Sequence, residues 1–238
     1  EHLAAEKYDA VVLAGDLFDR SVPSAEAVAL LDWFLSSLVL DLGLPVLAVS
    51  GNHDSPQRLA FGSRLYQAGG LEIAALPQRE IRRVTLTDAW GPVDFFLLPY
   101  LSPADGKNLF PQGDIRTFQD VYAALLEANR PRFDSSRRSV LVGHGFFAPL
   151  GKGEGQAASA PDGEAPADGG LLRCGSEAAV GGLELVDAAL LEGFDYAALG
   201  HLHAPQRAGR EHLRYSGSPL PYSLSEEGQA KGVTAVEL

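Results

Sequence analysis

Four times along this 238-residue chain a short apolar run ends in a glycine, and a side chain able to bind a metal follows at once. The runs are Ala10–Ala14 before Gly15 and Asp16; Val46–Val49 before Ser50, Gly51, Asn52, His53 and Asp54; Val140–Val142 before Gly143, His144 and Gly145; and Tyr196–Leu199 before Gly200, His201, Leu202 and His203. Short buried strands of this kind belong to the central sheet of an α/β protein, where ligands collect in the crevice beyond the carboxyl ends of the strands. Glycine there lets the backbone turn sharply and come close to whatever is bound. One Asp, one Asn and three His delivered to one crevice are hard and borderline donors, a mixture that suits manganese, iron or zinc better than calcium. Taken singly, each motif has a structural explanation: Asp16 as a cap, Asn52 in a left-handed turn, His144 or His201 as satisfied core histidines. Independent capping roles would not place three histidines and an Asn-His-Asp triplet at equivalent strand ends.

Composition bounds the rest. With 46% hydrophobic and 21% charged residues the chain is that of an ordinary globular protein. No apolar stretch approaches the roughly 20 residues that span a bilayer, so no membrane partner is expected. Cys174 is the only cysteine, which excludes an intramolecular disulfide and fits a reducing cytoplasm. The net charge of −12 argues against a broad basic face for nucleic acid. A DNA-binding role would therefore need metals, local arginines or a partner to grip phosphate.

Local patterns supply the expected scaffold. Ser24 reads as the N-cap of a helix with Val28, Leu31, Leu35 and Leu38 on one face, closed by Gly43 and Pro45. Ser55 and Pro56 open a second helix through Leu59, Gly62 and Leu65, and residues 71–100 read as short β runs. Thr117 caps a helix carrying Val121, Leu125 and Leu126. Residues 148–182, rich in Gly, Ala and Pro, read as a mobile loop. A helix is expected around Leu185–Leu191, and final strands at Leu213–Ser216 and Val233–Leu238.

The segments Gly15-Asp16-Leu17-Phe18-Asp19, Gly51-Asn52-His53-Asp54, Gly143-His144-Gly145 and Gly200-His201-Leu202-His203 resemble, in order, the motifs of the calcineurin-like metallophosphoesterases. With Pro23-Ser24 and Tyr215-Ser216-Gly217-Ser218-Pro219 they are similar, within that superfamily, to the bacterial SbcD nuclease family, over essentially the whole chain. The resemblance implies an α/β fold, a two-layer mixed β-sandwich flanked by helices, and metal-dependent hydrolysis of DNA phosphodiesters by exonuclease or endonuclease action. It also implies two divalent cations, most readily Mn2+, with DNA, an SbcC-type ATPase and a second copy of the chain as partners. In the family pattern Asp16 bridges the cations, Asn52, His144 and His201 complete one site, and His203 serves the other. His53 faces the phosphate as the catalytic residue, with Asp19 or Asp54 as candidates to orient it. The family opens with an Asp-x-His motif for which nothing before Gly15 has the spacing, so an N-terminally incomplete domain is expected, without the capping and ATPase-binding regions. Two rivals remain open: a phosphodiesterase of the same superfamily acting on a small nucleotide, which the acidic charge favours, and a non-catalytic scaffold, which five surviving ligands disfavour.

Overall fold

The computed structural model describes residues 2–150, 171 and 184–238. In chain order its elements begin with α1 (His2–Ala5), β1 (Val11–Ala14), α2 (Ala25–Ser36), β2 (Val46–Val49), α3 (Pro56–Ala60), α4 (Ser63–Gln67), β3 (Leu71–Ala74), β4 (Arg82–Asp88) and β5 (Gly91–Leu98). They continue with α5 (Pro103–Leu109), α6 (Phe118–Asn129), β6 (Arg138–His144), β7 (Phe146–Ala148), β8 (Leu185–Asp187), β9 (Tyr196–Gly200), β10 (Gln206–Arg207) and β11 (Leu213–Tyr215).

All four residues of β2 are buried, as expected of a central strand covered on both faces. It pairs in parallel with β1 and β3 to make a three-stranded sheet. A six-stranded sheet in the order β10-β11-β9-β6-β5-β4 faces it, parallel through β11, β9, β6 and β5 and antiparallel at both edges. Leu47 and Val49 of the smaller sheet pack against Val93, Phe95, Leu97, Val140 and Val142 of the larger one. The outer face of the smaller sheet carries Leu59 of α3, and that of the larger sheet carries Val121, Tyr122, Leu125 and Leu126 of α6. The result is the expected two-layer sandwich with helices outside it. Because β1, β2, β6 and β9 all run parallel to their neighbours, their carboxyl ends gather at one rim of the sandwich.

Several local expectations give way to tertiary context. Residues Leu185–Leu191 form β8 and a 3-10 turn rather than a helix, because β7 offers Val186 a parallel partner and the Asp187 side chain caps the Ala189 N–H at 3.0 Å. The second helix is two short ones, broken where Gly62 takes a left-handed φ of 72°. Helix α2 is capped by Ser24 as read, yet Val28 is exposed, and Leu38, in the π-helical turn that follows, is the buried member of the stripe. Val233–Leu238 has no ladder partner among the described residues and stays irregular, since β-branched residues make a strand only where a neighbour accepts their hydrogen bonds. Of the segment 148–182, most lies outside the described residues; Ala148 closes β7 and Leu171 is buried in the main core.

Two buried tyrosines fix the chain just past β6. The Tyr122 hydroxyl accepts from the Leu101 N–H at 3.2 Å and donates to the His144 carbonyl at 2.9 Å, while the Tyr215 hydroxyl accepts from the Phe147 N–H at 2.7 Å. Tyr122→Phe deprives two buried main-chain groups of this partner, so unfolding in denaturant is expected to show a loss of about 1–3 kcal/mol. An unchanged unfolding free energy would mean that the hydroxyl is not what anchors His144.

Candidate metal centre

The four strand-end motifs meet at the shared rim. Asp16 follows β1, Asn52 follows β2, His144 ends β6 and His201 follows β9. Asp16 Oδ2 lies 3.3 Å from His144 Nε2, Asn52 Oδ1 lies 2.9 Å from the same nitrogen, and His201 Nδ1 lies 3.1 Å from Asn52 Oδ1. Neighbouring ligands on a six-coordinate cation with bonds of about 2.1 Å stand about 3 Å apart, so these donors hold the separations of one coordination shell. Among the described residues no three His, Cys, Asp or Glu side chains form a metal-binding group by themselves, which makes the Asn52 amide oxygen integral to the set.

Proton accounting points the same way. His144 Nδ1 is 2.8 Å from the carbonyl of Ala14, which can only accept, so Nδ1 carries the ring proton. In the neutral ring Nε2 then presents a lone pair toward the oxygens of Asp16 and Asn52. Three acceptors facing one point are what a cation satisfies. Burial, then the neighbouring His144, push the His201 pKa down to about 3, which keeps that ring neutral and able to ligate at neutral pH. Burial would raise Asp16, but its contacts with His144 and the His53 N–H outweigh that and hold it below the usual carboxylate range.

The backbone is shaped around these side chains. Among the described residues the non-glycine positions with left-handed φ are Asp16, at 51°, and His201, at 113°, both candidate ligands. Such conformations persist only where the surroundings enforce them, and they cluster at functional sites. The glycines are equally bound to place: a Cβ on Gly51 would overlap the Asp16 carboxylate, and one on Gly15 would overlap the His144 ring.

The remaining candidates divide by role. His53 is exposed, its N–H donates to Asp16 Oδ1 at 2.9 Å, and its Nδ1 lies 2.8 Å from the main-chain carbonyl of Asp19. Asp19 thus meets His53 through its backbone, while its carboxylate pairs with Arg20 at 2.9 Å. The Asp54 carboxylate instead accepts from the N–H groups of Gly51, Leu17 and Phe18 at 2.9, 3.1 and 3.0 Å, binding the two ligand loops together. Burial keeps its pKa above the usual value in spite of those donors. His203 Nδ1 faces the buried carboxylate of Glu226 at 2.8 Å. Sequence reasoning passed over Glu226, and also Tyr100, whose ring stands edge-on to His144 with centroids 6.2 Å apart. Neither lies in a glycine-ended motif; an aromatic two residues after the end of β5, beyond Pro99, was the one available signal for Tyr100.

The family model described as calcineurin-like phosphoesterase matches residues 1–205. The chain belongs to the calcineurin-like phosphoesterase family. A curated relative from Staphylococcus epidermidis, the SbcD component of nuclease SbcCD, is 32% identical over 238 residues, which is 100% of this chain and 58% of the relative. The chain therefore spans little more than half of that relative's length. Among the described residues no helix is long and apolar enough to cross a membrane.

Proposed function

We propose that the protein hydrolyses DNA phosphodiester bonds with two divalent cations, as the nuclease partner of an SbcC-type ATPase. The observation that carries this reading is the quartet Asp16, His144, Asn52 and His201, whose donor atoms follow one another at 3.3, 2.9 and 3.1 Å, in a chain similar to a protein named as part of a nuclease. Asp16 would bridge the cations, the other three would complete one site, and His203 would serve the second. Imidazole, amide and carboxylate donors without thiolate favour Mn2+. Bound there, the cations would supply Lewis-acid polarisation of the phosphoryl group and a nucleophile at neutral pH. His53 would hold a proton for the leaving oxygen. Support comes from its ring: with Nδ1 donating to the Asp19 carbonyl, Nε2 is turned away from the protein's own acceptor. Asp19 would act as its orienting group through the main chain, and Asp54 would keep the two loops in register.

The charge of −12 implies that this chain alone grips DNA weakly, with the ATPase and a second copy supplying much of the contact. The exposed Leu30 and Trp33, close together on one side of α2, are apolar side chains that such a second copy would cover. A single cysteine is in keeping with a cytoplasmic home. The same acidity favours one rival, a phosphodiesterase for small nucleotides, and turnover of linear duplex DNA against bis-p-nitrophenyl phosphate, with Mn2+ present, separates the two. In that assay Asp16→Asn is expected to lose metal occupancy and activity together, because the bridging charge is gone. Calorimetric titration showing two undiminished Mn2+ sites in this variant would overturn the bridge.

A further inference from the structure

Glu226 is 1% exposed, although Leu224, two residues before it, is 92% exposed. A carboxylate buried in a surface segment is costly unless it is paired and hydrogen-bonded. Its Oε2 meets Lys231 Nζ at 2.6 Å, the Tyr222 N–H at 3.3 Å and Ser218 Oγ at 3.4 Å, and its Oε1 meets His203 Nδ1 at 2.8 Å. Lys231 also reaches the His203 carbonyl and Ser218 Oγ, both at 2.8 Å, and Gln229 Oε1 at 3.0 Å. The Ser218 N–H donates to the same His203 carbonyl at 3.0 Å. Ring and main chain of one residue, His203, are therefore gripped from a segment 15–28 residues downstream.

Resting on the reading of His203 as a ligand of the second cation, we propose that Glu226, itself held by Lys231, is the positioning residue that fixes the His203 tautomer and so aims its Nε2 lone pair at that cation. A carboxylate can only accept, so the proton of the neutral ring sits on Nδ1 and the lone pair on Nε2. His144 reaches the same tautomer through a neutral acceptor, the Ala14 carbonyl. His203 has an anion instead, which also makes the ring a stronger donor. The Glu226–Lys231 pair explains why Gln is not an equivalent residue here. The Lys231 ammonium would claim the amide oxygen, leaving the amide NH2 to face Nδ1 and drive the ring proton to Nε2.

Two measurements on the full-length protein test this. In 15N-histidine-labelled, metal-free protein, with the His203 signal assigned from His203→Gln and the pH raised until the ring is neutral, the remaining ring proton is expected at Nδ1 and not at Nε2. In Glu226→Gln the proton is expected to move to Nε2, and Mn2+ titration should show the second site weakened about 10–100-fold with the first unchanged. A neutral wild-type ring that carries its proton at Nε2 overturns the inference whether or not any variant folds. So does a folded Glu226→Gln protein that binds both Mn2+ ions as the wild type does. If the wild type itself has no second site, the ligand reading falls and this inference goes with it, a result distinct from the other two.

Discussion

Replacing His53 by alanine is expected to leave Mn2+ binding intact while lowering phosphodiester hydrolysis by about 10²–10⁴-fold, the usual worth of a positioned proton donor. The separation is unusually clean at this residue because its two contacts come from different parts of it. The main-chain N–H holds Asp16 Oδ1 at 2.9 Å and survives the substitution, whereas the ring, turned by the Asp19 carbonyl, is lost. Calorimetry with Mn2+ and a linear-duplex hydrolysis assay on the same preparation provide the check. Metal lost in proportion to activity would make His53 a ligand or a scaffold residue rather than a participant in proton transfer.

Gly200→Ala is expected to be as severe by another route. A Cβ at Gly200 would overlap the Ala14 carbonyl oxygen and press on the His144 ring. Its main neighbour is backbone, which no rotamer change can move aside, so β1 and β9 must separate. Overpacking of this kind costs about 3 kcal/mol, or a fall in melting temperature of roughly 6–12 °C for a chain of this size. Metal binding should be lost as well, because the Ala14 carbonyl also holds the His144 proton at Nδ1. Gly193→Ala is the control: nothing lies within 4 Å of a Cβ there, and its melting temperature should match the parent. Equal behaviour of the two variants would show that the rim is not packed as described.

The meeting of Asp16, Asn52, His144 and His201 at one rim was legible because the signal for it is local: an apolar run, a glycine and a donor, each within a few residues. The two-sheet sandwich was legible at the level of strands, since continuous apolar runs such as Val46–Val49 must be buried on both faces. What holds the donors was not legible. Asp54 looks in sequence like a partner for its neighbour His53, but folding brings Leu17 and Phe18, 37 and 36 residues away, to its oxygens. Glu226 directly follows the exposed Leu224 and Ser225, and only the arrival of Lys231 and His203 gives a buried carboxylate a reason to be there. Leu185–Leu191 was misread for a related cause: three residues choose strand over helix when β7 lies alongside to complete their hydrogen bonds.

The candidate quartet draws two residues, Asp16 and Asn52, from the loops of the three-stranded sheet and two, His144 and His201, from the six-stranded sheet. An ion bound there would be a clasp between the layers as well as a reagent. Residues 16 and 201 are far apart in the unfolded chain, so the clasp closes on the docked sandwich alone, and an ion at 100 times its dissociation constant would add about 2.7 kcal/mol to the folded state. Metal supply would then govern how long the molecule lasts as well as how fast it works.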